Sequence, residues 1–246
     1  MMKKVLSHSV ILLLLFAVCA CQEKEPVRHH DFVDLGLTSG TLWATMNLDA
    51  DKPQKVGGFY AWGETQSKSS WLIGDYKYFA PGPDTTILKY NTLPHYGKVD
   101  ALFRLQECDD AATAAWGSEW CTPSIDQCLE LMYECNWEAG QLEGVPGVYV
   151  KSKVNNNQIF LPAGGYGGDA HHGGSSEIMM PGVVVLLMAS TLDGRRPYYG
   201  NDMSFNVNLP VVYGSDYSDW VGYGTNPRTG ASNRFAGHNV RPVRKR

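Results

Sequence analysis

Only one stretch of this chain, Ser124–Cys135, places apolar residues at helical spacing over several turns, so nearly everything else must fold as short strands and turns. Ile125, Cys128, Leu129 and Met132 recur at intervals of three and four and give that helix one buried face. Thr122 is the expected N-cap and Pro123 the first helical residue, where its missing N–H costs nothing. A second, shorter helix is expected over Asp109–Gly117, with acidic residues at its positive end and glycine as its stop.

Strand signals surround these two helices. Asp31–Asn47 reads as a hairpin turning at Thr38–Thr41, and a better one joins Gly147–Lys153 to Asn157–Ala163 through Asn155–Asn157. Thr65–Leu105 has no helical period and reads as a long surface excursion. Alternating residues in Ser204–Leu209 and Asn233–Val243 supply the closing strands. With 26 glycines and 13 tyrosines among such short segments, the expected architecture is α+β: two helices packed on small antiparallel sheets with long loops.

Residues 1–20 have the layout of a secretion signal: Lys3 and Lys4, an apolar run through Val10–Val18, and the small residue Ala20 before Cys21. The run is too short to span a bilayer comfortably. Val18-Cys19-Ala20-Cys21 resembles a lipobox, which makes Cys21 the lipid-bearing amino terminus of the mature chain. Residues 21–30, polar and interrupted by Pro26, are expected to form a solvated tether, and 31–246 the fold. An acidic start behind the lipid resembles the tag that sends lipoproteins to the outer face of the outer membrane, so a membrane partner and a surface location are expected.

The formal net charge of −4 provides no broad basic field, and Arg241, Arg244, Lys245 and Arg246 form only a short basic tail, which argues against nucleic acid. An exported location permits disulfides among Cys108, Cys121, Cys128 and Cys135. Cys128 and Cys135, seven apart on one helix, would sit roughly 10 Å apart along its axis and should not pair with each other. No CxxC or histidine spacing supports zinc.

Several segments in order resemble one family: Val33-Asp34-Leu35-Gly36-Leu37, Ser39-Gly40-Thr41-Leu42-Trp43-Ala44, Gly58-Phe59-Tyr60-Ala61-Trp62-Gly63-Glu64-Thr65, Asp109–Ala112, Trp116–Ser124, Phe160–Tyr166 and Val240-Arg241-Pro242-Val243. Together they resemble the major paralogous domain of Fibrobacter and Bacteroidetes surface lipoproteins. The resemblance implies a C-type-lectin-like domain whose termini meet in one sheet, with Trp43, Trp62, Trp116 and Trp120 in the core. The chain departs from the pattern over Ile178–Met188, where Val183–Met188 reads as a buried strand; the alternative is a damaged reading frame that would leave it poorly packed.

For function, the sequence offers neither a nucleophile elbow nor a phosphate-cradling loop at a helix start. A sulfatase-modifying enzyme on the same fold would need a reactive cysteine, yet Cys121 stands where relatives have arginine and Cys128 falls on a core face. Calcium is the one cofactor that the oxygen-bearing side chains of Gly200–Asp202 and Asp216–Trp220 could take, but the lectin sugar-binding motifs are absent, and a metal-free site is expected. Asp169-Ala170-His171-His172 reads as a solvated loop. Tyr198, Tyr199, Tyr213, Tyr217, Trp220 and Tyr223, set among glycine, serine and asparagine, have the composition of binding loops. The expectation is a non-enzymatic binding or adhesion module for glycan or protein ligands, with a structural subunit of a surface assembly as the alternative.

Overall fold

The structure, a computed structural model, describes residues 30–80, 86–168, 173–207 and 226–244. In chain order the elements are β1 (Phe32–Asp34), β2 (Leu42–Ala44), β3 (Trp71–Leu72), β4 (Phe79–Ala80), β5 (Thr86–Ile87), α1 (Ala111–Trp116), β6 (Trp120–Cys121), α2 (Ile125–Glu134), β7 (Cys135–Leu142), β8 (Val145–Ser152) and β9 (Gln158–Pro162). They continue with β10 (Tyr166–Gly167), β11 (Gly174–Ser175), β12 (Ile178–Met179), β13 (Val184–Leu192), β14 (Tyr199–Asn206), β15 (Arg228–Asn233) and β16 (Val243–Arg244). The result is an α+β architecture of small antiparallel sheets around two helices.

Three sheets form the frame, ordered β1-β2-β16-β6, β7-β8-β9 and β13-β14-β15. In the first, the carboxy-terminal β16 pairs with β2 on one side and β6 on the other, so both ends of the described chain meet there. The hairpin expected over Asp31–Asn47 is β1–β2, with Phe32 opposite Ala44. The second expected hairpin is β8–β9, and it gains a partner the sequence reading missed, β7, which buries one residue and lacks an apolar alternation. The Ile178–Met188 departure resolves as packed structure: Val185, Leu187 and Met188 of β13 are buried.

Helix α2 starts two residues later than expected. Ser124, not Thr122, is the N-cap, and Gln127 completes a capping box with it. Thr122 is unavailable because its N–H and hydroxyl both donate to Asp110. That same carboxylate caps α1 through the N–H groups of Ala112 and Thr113, and α1 stops at Gly117. One buried aspartate thus fixes the start of one helix and the approach to the next.

Two apolar clusters fill the interior. The first gathers Trp43, Cys128, Leu131, Val150, Leu161, Leu187 and Phe205 between α2 and the three sheets. The second is built largely from the segment expected to be a surface excursion: Tyr76, Tyr78, Phe79, Ile87 and Tyr90 are buried there with Trp62 and Phe235. That expectation is corrected, because short strands and turns roll these aromatics inward. Strand β13 serves both clusters, Leu187 facing the first and Met188 the second.

Other expectations change as well. Trp43, Trp62 and Trp120 are buried, but Trp116 is half-buried and stacks on His30 at 3.8 Å. His30, placed in the solvated tether, is therefore docked, and the rest of the tether lies outside the described residues. Arg241 is no part of a solvated tail: fully buried, it donates to Asn47 Oδ1, Ala44 O and Phe160 O, and burial lowers its pKa to about 9. Arg244 instead pairs with Glu119 at 2.9 Å.

Candidate functional site

Of the six aromatic candidates, Tyr198 and Tyr199 are described; Tyr213, Tyr217, Trp220 and Tyr223 lie outside the described residues. The two visible tyrosines follow the turn that joins β13 to β14. Its geometry is set by Asp193, whose carboxylate accepts from the Arg195 N–H at 3.0 Å and from Arg196 Nε at 2.8 Å. The Arg196 N–H donates to the Asp193 carbonyl, and the Asp193 N–H donates to Tyr199, which closes the turn. Tyr199 opens β14 rather than lying in a loop, and the Arg196 guanidinium rests 4.9 Å from its ring centre. Tyr198 turns inward, stacked on Phe79 at 4.6 Å and edge-on to Phe235. It packs on the second core.

Residues 207–227, which carry the other four aromatics, connect β14 to β15. The two strands are in register from Tyr199 opposite Asn233 to Ser204 opposite Arg228. The connection therefore leaves from the far end of β14, roughly 20 Å from Tyr199 by strand rise. The tyrosine pair and the ends of the longer connection occupy opposite ends of one hairpin stem.

Beneath Tyr198 lies an arginine that sequence reading missed. Arg234 is fully buried; Nε donates to the Tyr76 hydroxyl at 2.9 Å, one terminal nitrogen to Pro197 O at 3.0 Å and Tyr90 O at 3.3 Å, and the other to Lys89 O at 3.0 Å. The rings of Trp62, Tyr76, Tyr78, Phe79 and Tyr90 surround its guanidinium at 4.8–5.8 Å. A buried cation needs such acceptors and ring faces to offset its lost hydration. Nearby, burial would raise the Asp109 carboxyl, but hydrogen bonds from Lys89, Tyr90 and Lys77 outweigh it and hold its pKa well below the usual range. Through the Pro197 carbonyl this network ties the hairpin tip to the second core. Its only sequence signal was a cation inside an otherwise small and apolar run, Arg234-Phe235-Ala236-Gly237.

The remaining candidates are dispersed. Cys108, Cys121, Cys128 and Cys135 form no disulfide with one another; Cys108 is exposed, Cys128 and Cys135 buried. Burial pushes the Cys135 thiol up to about 11 and that of Cys128 higher still, which suits packing rather than nucleophilic attack. Asn201 and Asp202 spend their polar atoms internally, Asn201 on the Leu192 carbonyl and Asp202 on the Ser232 hydroxyl. Burial raises the Asp202 pKa to about 6 and lowers that of His238 to about 4. Residues 169–172 and 216–220 lie outside the described residues. Among those described, no three His, Cys, Asp or Glu side chains converge on a point that could hold a metal, and no helix is long and apolar enough to cross a membrane.

Compared with known proteins, the chain matches no family model, no curated protein and no solved structure.

Proposed function

We propose that this chain is a surface lipoprotein, anchored through Cys21 to the outer membrane and facing the cell exterior, whose domain of major-paralogous type is a C-type-lectin-like binding or adhesion module without enzymatic activity. The observation that carries this reading is the β14–β15 connection. Strands β14 and β15 are in register over six residue pairs, and the sequence that connects them carries Tyr213, Tyr217, Trp220 and Tyr223 among glycine, serine and asparagine. Aromatic side chains in such a composition suit stacking on sugar rings or filling a pocket of a partner protein. The return of β16 between β2 and β6 supports the lectin-like reading, since that fold joins its termini in one sheet.

The test is a glycan array probed with the domain, with calcium and again with chelator, beside a Tyr217→Ala, Trp220→Ala variant. Binding that survives chelation and is lost in the variant is expected. Calcium-dependent binding would overturn the metal-free site, and absence of any glycan binding together with stable oligomers would favour a structural subunit. Protease shaving of intact cells tests the exterior location.

A further inference from the structure

Strand β7 pairs with β8 along all eight of its residues, yet among the described residues no backbone hydrogen bond or bridge reaches its other side. The edge strand β13 differs, since the N–H groups of Gly165 and Leu105 donate to its Val184 and Ser190 carbonyls, and its own Met188 and Ser190 N–H groups donate to Asn239 and Pro123. Which groups the bare side of β7 presents follows from the turn that ends it. Glu143 and Gly144 have φ of 50° and 80°, a two-residue turn that makes the flanking Leu142 and Val145 a hydrogen-bonded pair. Alternation then bonds Gly140 to Gly147 and Glu138 to Tyr149, and turns the N–H and C=O groups of Trp137, Ala139 and Gln141 away from β8. Pro146, opposite Gln141, has no N–H to offer, and its carbonyl accepts from Ala163 on the β9 side at 2.9 Å, as this alternation requires. Of the outward groups, the Gln141 carbonyl takes the Tyr149 hydroxyl at 2.9 Å. Glu138, Ala139 and Gln141 are exposed, and β7 has none of the usual guards of an edge: no lysine, no proline and no shift of register.

We infer that β7 pairs antiparallel with the β7 of a second copy of this chain, about a two-fold axis at Ala139, joining two three-stranded sheets into one. Outward-facing residues must meet outward-facing residues, so the registers that overlap nearly the whole strand place the axis at Glu138 or at Ala139. An axis at Glu138 sets that carboxylate against its own copy, a like-charge pair. An axis at Ala139 sets Glu138 opposite Gly140 and Trp137 opposite Gln141, and lets Trp137, Ala139 and Gln141 exchange about six backbone hydrogen bonds with the copy. This self-complementarity favours a second copy over an unrelated strand, and the pairing closes at two chains. It needs neither the lipid anchor nor residues 207–227 and so goes beyond the function proposed above.

The experiment follows sedimentation of the full detergent-solubilised chain at rising concentration. The wild type forms dimers, and Ala139→Lys or Ala139→Glu alone weakens them by about tenfold or more, because position 139 meets its own copy. An equimolar mixture of the two variants forms dimers again, which a merely structural role of Ala139 would not produce. The same near-ultraviolet circular dichroism in each variant excludes misfolding. Weakening without recovery on mixing would overturn the axis at Ala139. Wild-type monomers at every concentration overturn the pairing itself: slow exchange of the Trp137 and Ala139 amides would then show that another segment of the chain covers the edge, and fast exchange that it stays bare. Dimers that neither variant weakens overturn it too, and assign association to the lipid anchor or another face. Glycan binding is read separately, so failure of the earlier reading leaves this result untouched.

Discussion

Trp71 shows how much of this molecule rests on single residues. Gly167 and Gly237 exchange two backbone hydrogen bonds, at 2.7 and 2.8 Å, and the indole lies against that pair. A Cβ on Gly167 would fall 2.4 Å from Trp71 Cε2, and one on Gly237 2.2 Å from Nε1. Contacts that short require the backbone or the buried indole to move. Gly237→Ala should therefore lower stability by about 2–3 kcal/mol, seen as a reduced urea midpoint with an unchanged slope. A wild-type midpoint in the variant would mean that the indole has room to shift. None of this was legible beforehand, because the need for glycine at 167 and 237 comes from a tryptophan far away in sequence. Arg234 and Arg241 escaped for a similar reason: their burial depends on carbonyls and rings gathered from four separate segments.

At the level of elements, α2 was the most legible part of the chain, since its periodicity states both its existence and its buried face. Its exposed side holds the surprise. Glu130 accepts from the N–H and hydroxyl of Ser39, and Glu134 from those of Thr38, so the polar face clamps the turn between β1 and β2. Two glutamates one helical turn apart would otherwise repel. Replacing both by alanine should speed hydrogen exchange of the Thr38 and Ser39 amides by roughly fivefold, taking about 1 kcal/mol for exposed charged contacts. Equal exchange rates would show that the turn holds itself. The strand β7 was not legible because an edge strand with one weakly covered face has no need of strict alternation.

Across the whole molecule, two buried groups act on stability in opposite directions. Asp202 has a raised folded-state pKa of about 6, so its contribution is fully present below the ordinary carboxylate range and is lost as pH rises through about 6. His238, lowered to about 4, contributes above its ordinary value of 6.5 and loses that contribution as pH falls toward 4. The windows nearly coincide, so wild-type stability should vary little between pH 4 and 6.5 on their account. Asp202→Asn removes one side of the balance. The variant should gain up to about 3 kcal/mol over the wild type at pH 7.5 and show stability that climbs steeply with pH across that range. Denaturation at several pH values checks this, and a variant curve parallel to the wild type would sink it. The mixed α+β character was visible in the sequence as two helical segments among many turn signals. The division into two cores was not, because the aromatics of residues 71–90 have no period that marks them as interior.

The position of β16 also governs timing. Synthesis delivers the chain amino end first, yet β2 and β6 have nothing to join them until Val243 arrives. The four-stranded sheet β1-β2-β16-β6 can therefore be completed only after Val243 has been made, however early its other strands are available.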